Sequence, residues 1–233
     1  VMNTWGRSMV LPFLPSPRLP DQIVSLLPSG LPWSEIEAVA EQPGVDRERA
    51  LPLSVEQLLL GGTLLAQSGG DMSALHVQLL GMDPQRAFTA VEPPLMPIES
   101  DTIDASSAAK LIATTGACLI PESLAVRFDL AVGDELPLMA AGGIGQKSLH
   151  IAGIANLPGW QWVTKMGRMR SLDGKPLAPV LVSHETARSL GIQSVRHWLV
   201  DTTSDFDRQT LRDSLQKLAD QHLGPYDSNH FGG

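Results

Sequence analysis

Residues 117–156 read ACLIPESLAVRFDLAVGDELPLMAAGGIGQKSLHIAGIAN. The stretch alternates short apolar runs with glycine and aspartate. ACLI is an apolar run of strand length, and Pro121 opens ESLAVRF, whose apolar residues repeat at helical spacing. Strands are expected near 117–120, 134–140 and 147–155. In V-G-D, Gly133 suits a positive φ and Asp134 bonds its own turn backbone. Gly142, Gly143 and Gly145 in GGIGQKS imitate a phosphate loop. That loop needs its Lys directly after the last Gly, with a helix following. Here Gln146 intervenes and LHIAGIA reads as a strand. Without a helix N-terminus there is no array of free N–H groups for phosphate, so the glycines are expected to turn a hairpin.

A chain of 233 residues buries roughly 70% of its extended surface on folding, enough for a sizeable core. Seventeen basic residues against 25 acidic ones give a net charge of −8, which opposes generic nucleic-acid binding. Cys118 is the single cysteine, so no intrachain disulfide supports the fold. No apolar run approaches the roughly 20 residues of a membrane span. Residues 1–20 carry no basic n-region and prolines break their apolar run, unlike a signal peptide. A soluble piece is expected, and the lack of Met at position 1 fits a piece excised from a longer protein.

Residues 1–20 read as an arm or linker. DQIVSLL (21–27) is strand-like. Trp33, Ile36, Val39 and Ala40 share a helical face, with Pro32 in the first turn and Pro43-Gly44 as the stop. Residues 45–60 and 74–84 read as strands, with a loop within GGTLLAQSGGDMS. Residues 91–108 look like a proline-rich, then polar crossover. PVLVSHETARSLGI gives a strand and a short helix, and VRHWLVDTT a strand. SDFDRQTLRDSLQKLADQHL is the clearest helix, with Ser204 and Asp207 as a capping-box variant and Leu211, Leu215, Leu218 and Leu223 as its buried stripe. Residues 118–130 and 180–192 share an outline, which suggests a repeated strand-to-helix unit.

Ser183-His184-Glu185 holds triad residue types, but a triad is defined by spatial roles, not adjacency. No G-x-S-x-G elbow occurs, and Ser183 stands where a helix cap is wanted. A small serine hydrolase using Ser183 or His184 is the rival from a different class. The histidines His76, His150, His184, His197, His222 and His230 show no H-x-x-x-H pair, so no metal is expected. The carboxylate pairs Asp101/Asp104 and Asp205/Asp207 fit a polar loop and a helix cap. One cluster stands out: Trp160 and Trp162 beside Lys165, Arg168 and Arg170. Trp and Arg are enriched as interface anchors. These five are the expected partner-facing or membrane-facing residues; the bland reading is core tryptophans with a solvated basic tip.

The motifs CLI (118–120), SLA (123–125), L-A-V-G-D (130–134), LPLM (136–139), GGIG (142–145) and IAGI (151–154) together resemble the periplasmic core domain of ABC-transporter permeases of the MacB/FtsX/LolCE type. LPWSEIEAVAEQPGV, VQLLGMDP and the segments 180–191 and 198–218 resemble other parts of the same domain. The likeness covers roughly residues 20–225. The glycine usual in that family before the leucine is here Asp129.

The resemblance implies an α+β fold. A porter-like βαβ subdomain would come from 21–96 and 191–225, with a β-rich, Sabre-like subdomain inserted at 97–190 and a tail at 226–233. It implies a non-catalytic extracytoplasmic domain, on the outer side of a bacterial cytoplasmic membrane, that needs no cofactor. The domain would couple a cytoplasmic ATPase, reached through transmembrane helices not included here, to export, lipoprotein or lipid handling, or partner regulation. Relative movement of two subdomains would be the means. A second permease copy, an adaptor or an extracytoplasmic protein are the further partners it leaves open. The alternative is a free-standing extracytoplasmic binding module.

Overall fold

The computed structural model describes residues 20–26, 30–67, 75–92, 94–140, 145–156 and 177–223, without the side chains of 65–67 and 222–223. Among the described residues ten strands run in chain order: β1 (Gln22–Ser25), β2 (Leu31–Pro32), β3 (Val45–Leu59), β4 (His76–Met82), β5 (Ala117–Ile120), β6 (Glu135–Met139), β7 (Gln146–Ile154), β8 (Ala178–Ser183), β9 (Ser194–Val195) and β10 (His197–Thr202). The helices are α1 (Gly62–Gln67), α2 (Pro84–Phe88), α3 (Ala105–Ala113), α4 (Glu122–Phe128), α5 (His184–Ser189) and α6 (Arg208–Leu223). The fold is α+β, as expected.

Eight strands pair in the order β1-β10-β3-β4-β8-β5-β7-β6. The last six close on themselves: Leu60, just past β3, bridges Leu138 of β6 in antiparallel sense, and Gly61 N–H donates to Pro137 O at 2.9 Å. The result is a six-stranded barrel. Side-chain alternation sorts its two faces. Leu58, Val77, Leu79, Cys118, Ile120, Leu136, Leu138, Leu149, Ile151, Val180 and Val182 form the interior. Val55, Leu80, Leu119 and Leu181 face outward, where they meet Ala87 and Phe88 of α2 and Ala108, Ala109 and Ile112 of α3. The β5–β7 register shifts between Cys118 and Leu119, which pair with Ile151 and Gly153. That bulge turns Gly153 outward, and a Cβ there would sit 2.5 Å from Ile103 and 2.7 Å from Leu119.

The 15 residues of β3 belong to two sheets. Its first half pairs with β10, Val45 to Leu53, and its second half with β4, Ser54 to Leu59. At about 3.3 Å per residue it spans close to 50 Å. Below the barrel, β1, β10 and the first half of β3 carry a third core of Val24, Val39, Ala50, Trp198 and Val200 under Leu211 and Leu218 of α6. Pairing also runs across residue 97, since β4 lies parallel to β8 over six residue pairs, Val77–Ala178 to Met82–Ser183.

The outline shared by 118–130 and 180–192 is an approximate dyad in space. β5 and β8 pair antiparallel at Leu119↔Leu181, which are equivalent positions of the two segments. Each strand runs into a helix whose apolar residues close one end of the barrel: Ala125 and Phe128 of α4, Ala187 of α5 and Leu190 at its C-cap. Because β5 and β8 are antiparallel, the two ends are opposite. The helix ends also match. Leu130 N–H donates to Ala125 O at 2.9 Å and Ile192 N–H to Ala187 O at 3.3 Å. The residue before each is left-handed, Asp129 at φ 52° and Gly191 at φ 93°, as this type of helix end requires. Asp129 is the non-glycine residue with positive φ among the described residues. Asp129→Gly is therefore expected to raise stability by about 0.5–1 kcal/mol, and Asp129→Val to lower it by more than about 1 kcal/mol, in paired thermal melts.

Several local expectations change. Residues 33–42 form a 3-10 turn, Trp33–Glu35, and further turns instead of an α-helix. Its bonds alternate between three- and four-residue spacing, as in Ala38 N to Glu35 O and Glu41 N to Glu37 O, while Val39 and Ala40 still face the core. Pro32 precedes that turn as its cap residue. Asp83 and Pro84 do more than turn the chain, because Asp83 accepts from the N–H groups of Gln85 and Arg86 and starts α2. The polar crossover ends in α3, capped by Asp104, which accepts from Ser107 N–H at 2.7 Å. Ser204 does not cap the last helix. Asp207 does, accepting from Thr210 N–H at 2.8 Å, because α6 starts four residues later than Ser204 and Ser204 lies in the exposed turn before it.

Candidate functional site

Strand directions decide where the connections lie. The C-terminal ends of β3, β5 and β7 and the N-terminal ends of β4, β6 and β8 meet at one end of the barrel. The connections 61–75, 121–134 and 155–177 all open there. Trp160, Trp162, Lys165, Arg168 and Arg170 fall on the third of these, outside the described residues, as do Gly142 and Gly143 in the β6–β7 hairpin.

The root of that connection is described. Glu99 and Asn156 exchange backbone bonds of 2.7 and 2.8 Å, and Asn156 Nδ2 donates to Glu122 Oε2 at 3.2 Å. A cleft of about 370 Å³ opens beside them, lined among others by Glu99, Ser100, Asp101, Thr102 and Glu122. Glu122 stands on the first turn of α4. One turn on, Val126 is 76% exposed, and Val132 in the following turn is 60% exposed. Among the described residues, this cleft is lined by three carboxylates, Glu99, Asp101 and Glu122, with the exposed Val126 and Val132 nearby in the sequence.

The turn residues have plain backbone roles. Gly133 takes φ 100°, and its N–H donates to Ile151 O at 2.9 Å. Asp134 Oδ2 accepts from Ala131 N–H at 2.7 Å. Gly145 takes φ 86° and its carbonyl accepts from Ala140 N–H at 3.0 Å, closing the antiparallel β6–β7 hairpin. Lys147, the lysine of the phosphate-loop imitation, donates to Ser189 O.

Ser183 and His184 are neighbours with separate tasks. Ser183 Oγ accepts from Thr186 N–H at 3.2 Å and lies 3.0 Å from Thr186 Oγ1, capping α5. His184 turns to the other side, where its Nε2–H donates to Pro52 O at 3.2 Å. A base must reach its nucleophile's proton, and this imidazole instead meets a carbonyl. Burial pulls its pKa down to about 4, against the pull of the Pro52 bond and Asp83. Burial likewise pushes the Cys118 thiol up to about 12, which leaves it unreactive inside the barrel. Among the described residues no three His, Cys, Asp or Glu side chains are placed to hold a metal ion. No helix among them is long and apolar enough to cross a membrane.

A cluster not expected from sequence surrounds His184. The Trp33 ring meets it edge-on at 5.2 Å, and the Arg188 guanidinium lies 4.4 Å over the same indole. Trp33 Nε1–H donates to Ile192 O at 3.1 Å. Trp33 packs against both the barrel core and the core under α6. Nearby, Arg86 of α2 reaches both Glu37 oxygens at 3.0 and 3.1 Å and Ala50 O at 3.2 Å. The 30–42 segment therefore straps the α5 end of the barrel to the lower sheet. The Trp33 contacts join residues more than 150 positions apart, and the helical periodicity of Trp33 and Ile36 signals burial but no partner.

No protein-family model matches this sequence, and no curated protein matches it. Among solved structures, the chain is similar to the periplasmic region of MacB from Actinobacillus actinomycetemcomitans, with TM-score 0.46 and 10% identity over 85% of this chain and 81% of that one. It is also similar to a domain of a protein described as a permease from Porphyromonas gingivalis, with TM-score 0.38 and 17% identity over 85% of this chain and 77% of that one.

Proposed function

We propose that this chain is the extracytoplasmic domain of an ABC-transporter permease of the MacB/FtsX/LolCE type. The observation that carries the reading is the backbone at Asp129. The resembling motif has a glycine before its leucine, and residue 129 adopts the left-handed conformation that glycine serves best. The V-G-D turn and the SLA helix also fall on a turn and on α4, in the order the motif implies. In this reading the domain is non-catalytic and binds no nucleotide. It passes conformational change between a membrane-bound, ATP-driven partner and a substrate or protein outside the membrane. The division into 21–96 with 191–225 and an inserted 97–190 belongs to the same proposal.

Trp160, Trp162, Lys165, Arg168 and Arg170 are the proposed partner-facing or membrane-facing residues. What supports them is that the segment carrying them links β7 to β8, whose joined ends lie at the end of the barrel far from the Val45 end of β3. Two experiments test the reading. Sequencing the native gene on both sides should reveal apolar runs of about 20 residues before Val1 and after Gly233; a reading frame without them sinks it. Reversing Arg168 and Arg170 to Glu in the full transporter should abolish transport or partner capture with unchanged circular dichroism. Full activity in that variant removes the assignment of the basic residues.

A further inference from the structure

The barrel's approximate dyad gives the Trp33 contact on α5 a counterpart on α4. Position by position, Glu122 corresponds to His184, Val126 to Arg188 and Leu130 to Ile192. On α5 that face is covered: the indole of Trp33 lies on His184 and Arg188, and its N–H bonds the Ile192 carbonyl. Val126 of α4 is 76% exposed and Val132, in the turn after it, is 60% exposed, and Leu130 is the sequence position equivalent to Ile192. The electrostatics differ. α5 offers a cation to the ring, whereas α4 presents Glu122 beside a cleft that includes Glu99 and Asp101. The nearby basic group on α4 is Arg127, which lies 5.7 Å from the Phe128 ring.

We infer that the exposed face of α4, from Glu122 to Val132, is a docking surface for a protein segment that presents an aromatic ring flanked by Lys or Arg. The ring would cover Val126 as Trp33 covers α5, which removes apolar surface from water. The flanking cations would meet Glu122, Glu99 and Asp101, and this charge complementarity selects a basic partner from acidic ones. The inference rests on the dyad and the exposed face and does not require the transporter reading.

The test uses the isotope-labelled chain and a synthetic Lys-Trp-Lys-Trp-Lys peptide, followed by amide chemical shifts. Saturable shifts confined to residues 99–102 and 121–134 are expected, with binding weakened at least about tenfold by Val126→Lys or Glu122→Lys. Both variants alter exposed side chains, so their spectra should otherwise keep the folded pattern. Equal shifts with Lys-Ala-Lys-Ala-Lys would overturn the aromatic requirement, and the absence of shifts at α4 would overturn the site. Concentration-dependent shifts at α4 without peptide would identify a second copy as the occupant. Binding that emerges only in Trp160→Ala/Trp162→Ala would identify the chain's own 157–176 segment. Either of these last two results also overturns the proposal.

Discussion

Gly81→Ala is expected to lower the melting temperature by about 10 °C, a loss of about 3 kcal/mol. Gly81 lies on β4 at the α5 end of the barrel, where strand, helix and neighbouring strand come together. A Cβ there would lie 2.2 Å from Ser54 Oγ and 2.7 Å from Ala187 Cβ. Neither neighbour can withdraw freely. Ser54 is fully buried and its hydroxyl donates to Gly81 O at 3.3 Å, and Ala187 is held in α5 inside the barrel core. The added methyl must therefore push the helix off the barrel end or bend β4. Ser54→Ala removes the closer atom, so the double variant should lose clearly less than the sum of the two single losses. A Gly81→Ala protein within about 0.5 kcal/mol of the parent in urea titrations would show that this end of the barrel is loosely packed.

The domain should also lose stability as pH falls from about 6.5 toward 4. Burial lowers the pKa of His184 and of His197 to about 4, below the ordinary value near 6.5. For His197, Arg196 adds to the effect of burial. A group whose pKa is depressed by folding is neutral in the fold while the unfolded chain takes up the proton. Its stabilising contribution is complete above about pH 6.5 and is lost as pH falls through the folded pKa. Each histidine contributes on the order of 2–3 kcal/mol to that loss.

The structural consequence follows from the contacts. His197 Nδ1 shares a hydrogen bond of 2.9 Å with Ser25 Oγ, joining β10 to β1, and His184 lies under Trp33 beside Arg188. A proton on His184 would face the Arg188 charge, with Asp83 as the carboxylate that opposes it. Urea midpoints measured from pH 7.5 to 4 should fall steeply for the parent. They should fall less for His184→Gln/His197→Gln, whatever the absolute stability of that variant. A parent curve that is flat between pH 6.5 and 4 would contradict the burial of both rings. Below that range the helix caps add their own loss. The pKa values of Asp104 and Asp207 are held down by the N–H and hydroxyl groups of Ser107 and Thr210, so these caps fail as pH drops below about 3.8.

Strands and turns were legible in the sequence because their causes are local. A short apolar run at 117–120 marks β5 and alternation in 134–140 and 147–155 marks β6 and β7, since side chains on a strand point to opposite faces whatever the neighbours are. Gly133, Asp134 and Ser183 follow from the backbone they must serve. Short helices were harder to read. Asp83-Pro84 and Asp104 are equally good as turns, and only the packing of Ala87, Ile112 and their neighbours onto the outer barrel makes them helix starts. Ser204 lost the cap to Asp207 because the chain must first turn off β10 before α6 can lie on its core.

The candidate site was legible only as composition, two tryptophans among basic residues. Strand directions show only that the connection carrying it leaves β7 and enters β8 at one end of the barrel. Closure of Leu60 onto Leu138, the dyad between Leu119 and Leu181, and the contact of Trp33 with Arg188 all join residues tens to more than a hundred positions apart. No local pattern encodes such pairings, because their free energy is gained only when distant apolar faces leave water together. The sequence by itself determined which residues extend, turn and bury. The tertiary structure alone decided that six strands close, that two helices seal opposite ends, and that one of those helices meets Trp33 while the other exposes Val126.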